Sequence, residues 1–193
     1  KGDTDTRALF TIDQRGIFEK EIDKAVAEKQ IDFAVHSLKD VPSDIPKSLT
    51  IACIPKREPS NDVLITKDGY NLQTIQSGAV VGTSSLRRAV QVSRIRSDVV
   101  VKPVRGNIET RINKVTEGKF DAIILAQAGI SRLGLDVKHS VLSKKDFHPS
   151  QGQGALASVC RVDDDKTISM LKKIEDKKSR TEIEAERALS EYV

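Results

Sequence analysis

The chain has 193 residues, enough for one large domain or two small ones that each bury a core. Apolar residues make up 38% and charged residues 31%, and Lys plus Arg outnumber Asp plus Glu by 32 to 28, a net charge of +4. That mildly basic balance, with a sequence pI near 9.0, suits an anionic small molecule as well as nucleic acid. The longest apolar runs, such as 122–126, are far too short to span a membrane.

In chain order, residues 17–29 carry apolar side chains at 17, 18, 22, 25 and 26, which is helical spacing. An apolar run at 31–35 leads into His36-Ser37-Leu38-Lys39-Asp40 and then Pro42. A turn over 43–48 precedes a second apolar run at 49–54, and the polar stretch 56–62, with Pro59, reads as a linker. Short strands are expected at 63–66 and 79–81, after which Gly82-Thr83-Ser84-Ser85 opens a helix near Leu86. Residues 99–104 read as a strand that Pro103 confines to an edge or an end. Arg105-Gly106-Asn107 then starts a helix over 108–117, and 120–126 is the clearest strand, followed by a short helix at 128–133. Beyond a Lys-rich loop and Gly152-Gln153-Gly154, a last strand is expected at 156–162 and helices at 166–176 and from Ser179 onward. Ser179 and Glu182 have the spacing of a capping box. Strands alternating with helices argue for an α/β chain with largely parallel sheets. The linkers near 56–62 and 148–154 would split it into two domains, the chain crossing out and back.

Cys53 and Cys160 make neither a disulfide framework nor a metal spacing, which favours a reducing compartment. His36, His139 and His148 are scattered, so no metal site is expected. Chemistry is expected beyond the carboxyl ends of the strands, where helix N-termini present free N–H groups. Four such ends carry functional side chains. At the first, Asp40 beside Lys39 can act as an acid or base or stabilise a cation, or can be a plain exposed ion pair. At the second, Arg87 and Arg88 sit in the first turns of a helix. Cations there oppose the helix dipole unless an anion is bound, and arginine forks grip carboxylates. Arg105 with Arg111, and Ala126-Gln127-Ala128-Gly129 with Arg132, repeat the strand–turn–helix pattern. Together they suggest a cleft for a ligand with several carboxylates, and no P-loop spacing is present. Gly152-Gln153-Gly154 reads equally as a hinge, an amide-lined nest or a turn.

These segments resemble the porphobilinogen deaminase family. The residues that carry the likeness are VHSLKDVP (35–42), VGTSSLRRA (81–89), RGNIETR (105–111), FDAIILAQAGISRLGL (120–135), GQGAL (152–156) and ERAL (186–189). The resemblance implies two α/β domains of the type II periplasmic-binding-protein kind around a cleft. Domain 1 would comprise 1–57 and 155–177, domain 2 would be 58–154, and 178–193 would begin a small third domain. It implies a transferase that joins four porphobilinogen units, with loss of ammonia through an azafulvene cation, into linear hydroxymethylbilane for porphyrin and haem synthesis. Asp40 matches the catalytic aspartate. Arg87, Arg88, Arg105, Arg111 and Arg132 would hold acetate and propionate arms, with Ser37, Lys39, Thr83, Ser84, Ser85 and Gln153 adding hydrogen bonds. Arg15 would belong to a loop over the cleft.

By the same resemblance the partners are porphobilinogen and the growing oligopyrrole, without nucleic acid or membrane, in a monomeric cytoplasmic enzyme. The cofactor would be dipyrromethane, tethered to a cysteine beyond Val193, and a strand, loop and helix would precede Lys1. Cys53 and Cys160 are then ordinary buried thiols, and this chain alone is expected to be inactive. Two other readings are a non-catalytic ligand-binding module of the same fold and a nucleic-acid binder. A carboxylate such as Asp40 suits an anion receptor poorly, and no nucleic-acid-reading motif is present.

Overall fold

The computed structural model describes residues 17–191. These part into two compact units: 61–149 form one, and 17–60 with 150–191 form the other.

The first unit is built on a five-stranded sheet, in the order β5-β4-β6-β3-β7. Its strands are β3 (Asp62–Thr66), β4 (Val80–Gly82), β5 (Val100–Lys102), β6 (Ala122–Ala126) and β7 (His139–Val141). Strand alternation divides the core in two. Val63, Ile65, Ile123 and Leu125 face Val104, Val115 and Ile130, whereas Leu64, Ala122 and Ile124 face Leu72, Val81, Val92 and Phe147. Helices therefore cover both faces: α2 (Leu86–Ile95) lies on one, α3 (Ile108–Thr116) and α4 (Gln127–Leu133) on the other. That is why β3 and β6 are apolar along nearly their whole length. Ser85 caps α2 by accepting from the Arg88 N–H (3.4 Å), and Asn107 caps α3 through the Thr110 N–H (2.8 Å).

The second unit holds β1 (Phe33–Ser37), β2 (Leu49–Cys53) and β8 (Leu156–Arg161) in the order β1-β8-β2. Helix α1 (Ile17–Ala27) buries Val26 against Ala34, Leu49 and Val159. Helix α5 (Asp165–Leu171) packs Leu171 on Ala52, Cys53 and Cys160, and a 3₁₀ turn, Lys172–Ile174, follows it.

The chain is α/β as expected, but among the described strands parallel pairing is confined to β4 with its neighbours β5 and β6. The antiparallel strands include β3 and β8, the first strands after each passage from one unit to the other. β7 falls in the stretch read as a loop. The division at 57/58 and 154/155 also differs from what is seen, since 58–60 and 150–154 go with the second unit. Hydrogen bonds lace these passages together: Glu58 N–H to Gly154 O (3.0 Å), Gln153 Nε2 to Ser60 O (2.7 Å) and Arg57 Nε to Gln153 O (3.0 Å). Gly154 has φ +87°, and a Cβ there would stand 2.3 Å from the Glu58 carbonyl oxygen, so only glycine fits.

Helix α6 (Lys177–Glu191), read as the start of a third domain, packs with the second unit, where Ile183 is fully buried beside Leu38, Val41 and Ile54. The capping box at Ser179 is not formed. The helix starts two residues earlier, Asp176 accepts the Ser179 N–H (2.7 Å), and the Ser179 hydroxyl accepts from the Arg57 N–H instead (2.9 Å). No described helix is long and apolar enough to cross a membrane.

Candidate functional site

In the first unit β5, β4 and β6 run parallel and side by side, so the segments that follow them leave from one edge of the sheet. These are 83–88, 103–111 and 127–132, which carry most of the residues singled out from the sequence. Ser84 stitches two of them together: its hydroxyl donates to Val104 O (2.5 Å) and accepts the Val104 N–H (3.1 Å). Thr83 is buried, and its hydroxyl oxygen accepts from the Ser85 N–H (3.2 Å).

Arg87 and Arg88 both engage Asp62, a carboxylate with no exposed surface. Arg88 donates to Asp62 Oδ1 from Nε (3.0 Å) and Nη2 (2.6 Å), and to Ile124 O from Nη1 (3.2 Å). Arg87 Nη2 donates to Asp62 Oδ2 (2.7 Å), while its Nη1 donates to His148 O and its guanidinium lies 6.0 Å from the Phe147 ring centroid. Burial pulls the Arg88 pKa down, and Asp62 counters that pull. Sequence reasoning missed Asp62 because it looked only beyond strand carboxyl ends. β3 runs antiparallel to β6, with Asp62 paired to Ala126, so the start of β3 lies at the edge where β6 ends. The available signal was a charge opening an otherwise apolar strand, DVLIT.

Arg105 is half-buried, and its Nη2 is a buried donor with no partner among the described residues. A buried guanidinium nitrogen left unsatisfied is costly, so this one marks a place for an acceptor. The adjacent backbone is fixed by Lys114 Nζ donating to Arg105 O (2.8 Å) and Arg111 Nε donating to Gly106 O (2.6 Å). Arg132 lies exposed in the last turn of α4.

The second unit carries Ser37, Lys39, Asp40 and Gln153. Ser37 ends β1, and a single 3₁₀ turn, Leu38–Asp40, buries Leu38 while leaving Lys39 and Asp40 exposed. Both line a cavity of about 790 Å3 within this unit, together with Lys20, Asp23, Lys24 and Lys47. Asp23, also overlooked in the sequence, is buried and lies 2.9 Å from His36 Nε2 through Oδ1. Gln153 is 1% exposed, and its side chain donates to Ser60 O and accepts from the Ser150 hydroxyl (3.3 Å), both within the same unit. Gly152 donates its N–H to Glu186 Oε2 (2.8 Å), so the anion at this loop is one of the chain's own carboxylates. Arg15 lies outside the described residues.

Cys53 and Cys160 are free and buried. Burial, reinforced by Glu175, pushes the Cys53 thiol up to about 11, and burial likewise raises that of Cys160. Neither is a ready nucleophile.

The architecture is that of type II periplasmic binding proteins. The chain is similar in fold to the second substrate-binding domain of an amino acid ABC transporter from Streptococcus pneumoniae (TM-score 0.52, 14% identity, 86% of this chain and 76% of that one). It is also similar to a protein described as a methionine-binding lipoprotein from Bacillus subtilis (TM-score 0.51, 15% identity, 84% and 77%). A family model described as "Porphobilinogen deaminase, dipyromethane cofactor binding domain" matches residues 1–169, and the chain belongs to the porphobilinogen deaminase family. It is 69% identical over 193 residues to the "Probable porphobilinogen deaminase" of Nitrosopumilus maritimus, covering all of this chain and 62% of that protein. It is 46% identical over 181 residues to the porphobilinogen deaminase of Brevibacillus brevis, covering 93% of this chain and 59% of that one. The chain thus spans about three-fifths of the length of these relatives.

Proposed function

We propose that, in a protein of its relatives' full length, this chain supplies the core of a transferase that condenses four porphobilinogen units, releasing ammonia, into hydroxymethylbilane. The observation that carries the reading is the buried Nη2 of Arg105, without a partner among the described residues, beside an arginine-rich sheet edge. Every pyrrole of the substrate and of a dipyrromethane bears acetate and propionate arms, and such an edge fits them. Arg87, Arg105 and Arg111 would hold these arms, with Arg132 on the next segment. Thr83, Ser84 and Ser85 shape the backbone that positions them. When bound, a dipyrromethane supplies a nucleophilic pyrrole α-carbon and an anchor for the chain under construction.

Asp40 is assigned the chemical step. Its carboxylate accepts the pyrrole N–H while positive charge builds on the ring being activated, and it takes the proton lost from the reacting α-carbon. Lys39 and Ser37 flank it as hydrogen-bond donors. The attachment point is assigned to a cysteine other than Cys53 and Cys160, whose buried thiols are held protonated at neutral pH. A monomeric, cytoplasmic enzyme of porphyrin and haem synthesis completes the proposal, and two reduced thiols are in keeping with that compartment.

Intact-mass spectrometry of the full-length protein, before and after adding porphobilinogen, tests this. A resting mass above that of the polypeptide, followed by a ladder of one-pyrrole increments, is expected. Reversible binding without a ladder would overturn the reading in favour of a ligand-binding module.

A further inference from the structure

We propose that Asp62 is a positioning residue that fixes Arg87 for a ligand carboxylate. The inference rests on the reading above and adds to it a residue that does not itself touch substrate.

Asp62 is fully buried, and its two oxygens have separate tasks. Oδ1 takes both Nε and Nη2 of Arg88, and Oδ2 takes Nη2 of Arg87. Arg88 is almost as buried as Asp62 and is also bound to the Ile124 carbonyl oxygen. Arg87 differs, because its side chain keeps 27% of its surface exposed. Two guanidinium groups around one carboxylate leave a net positive charge, and Arg87 is the partner with surface to offer a ligand. Arg87 is also held by the His148 carbonyl, which Gln91 Nε2 grips in turn (3.0 Å). An arginine already fixed through both terminal nitrogens loses little rotamer freedom on taking a carboxylate, whereas a free one loses much more. Without the Asp62 carboxylate, two guanidinium groups on consecutive residues would repel each other, and Arg87 would turn away. The antiparallel run of β3 brings this carboxylate to the edge from which 83–88 and 127–132 leave.

Asp62→Asn separates the two tasks. The amide oxygen still serves Arg88, but the amide NH2 opposes Nη2 of Arg87, donor against donor. In the full-length protein, KM for porphobilinogen is expected to rise about tenfold with kcat within about threefold, the split expected when binding alone is weakened. The fraction of purified protein carrying covalent cofactor mass should fall. Tm should fall by about 5–10 °C, because the buried Arg88 loses its counter-charge while keeping the amide oxygen as acceptor. Arg87→Leu should act in the same direction, and the double variant should be no worse than Arg87→Leu within about twofold, as for two parts of one device.

Wild-type KM and full cofactor loading in Asp62→Asn, or losses that multiply in the double variant, would overturn the role. Should Asp62→Asn not fold, guanidinium ¹⁵N spectra of the unsubstituted protein decide instead. Slow Nη rotation and exchange at Arg87, unlike exposed Arg94, supports the hold, and equally fast exchange refutes it. If the parent protein carries no cofactor and consumes no porphobilinogen, the functional reading fails, while the spectra still report on Asp62.

Discussion

The sheet edge of the first unit and the Asp40 turn of the second are built on opposite plans. At the sheet edge the charged groups are sunk and tied down: Asp62 and Arg88 are buried, Ser84 bridges to residue 104, and Arg105 holds a buried nitrogen that meets no acceptor among the described residues. At the turn, Lys39 and Asp40 are exposed on three residues of 3₁₀ helix, of which Leu38 is the buried one. Groups that recognise a fixed feature, a carboxylate arm, gain from being held before the ligand arrives. Under the proposed function, a group that meets a succession of rings and exchanges protons with them would gain from standing proud of the fold.

The contrast makes three claims that can be broken, beginning with the largest effect. Asp40→Ala in the full-length protein should lower porphobilinogen turnover by about a thousandfold, while its unfolding free energy in urea stays within about 0.5 kcal/mol of the parent, as for an exposed residue. A marked loss of stability would mean that the turn is a structural ion-pair site. Arg88→Met should do the reverse at the sheet edge, costing about 3 kcal/mol of unfolding free energy by removing a buried partner of Asp62. An unchanged midpoint in Arg88→Met would mean the edge is not held by that pair.

The smallest effect sharpens the comparison from outside both regions. Asp98 is held down to about 2, chiefly by its hydrogen bond from Arg96. Its folded pKa is depressed, so its contribution is full above the ordinary carboxylate value near 4 and is lost as pH falls toward 2. The Tm difference between the parent and Asp98→Asn should therefore shrink over that window. A constant difference would assign the effect to shape rather than charge.

Much of the fold was legible because the apolar runs are local signals: β6 and the capped starts of α2 and α3 lie where spacing and Asn or Ser caps put them. Parallel pairing was overestimated because alternation of strands and helices says nothing about a strand that enters its sheet after a passage from the other unit, as β3 and β8 do. The apparent box at Ser179 misled for a similar reason, since Arg57, more than a hundred residues away, claims the hydroxyl. The positions of Arg87, Arg105 and Asp40 just beyond strand ends were readable from the sequence. The burial of Gln153 and the pairing of Arg88 with Asp62 were not, because both depend on partners distant in sequence.

The register of β3 has a meaning beyond packing. Alternation decides that Val63 and Ile65 look one way and Leu64 the other, and the same phase decides where the carboxylate at the head of the strand is set down. A slip of one residue would put hydrocarbon where Arg87 and Arg88 expect charge, and would do so without changing a single letter of the strand. The oily interior of this unit is therefore also its alignment gauge: hydrophobic matching between β3 and β6, with no polarity of its own, sets the address of the one negative charge that organises two positive ones.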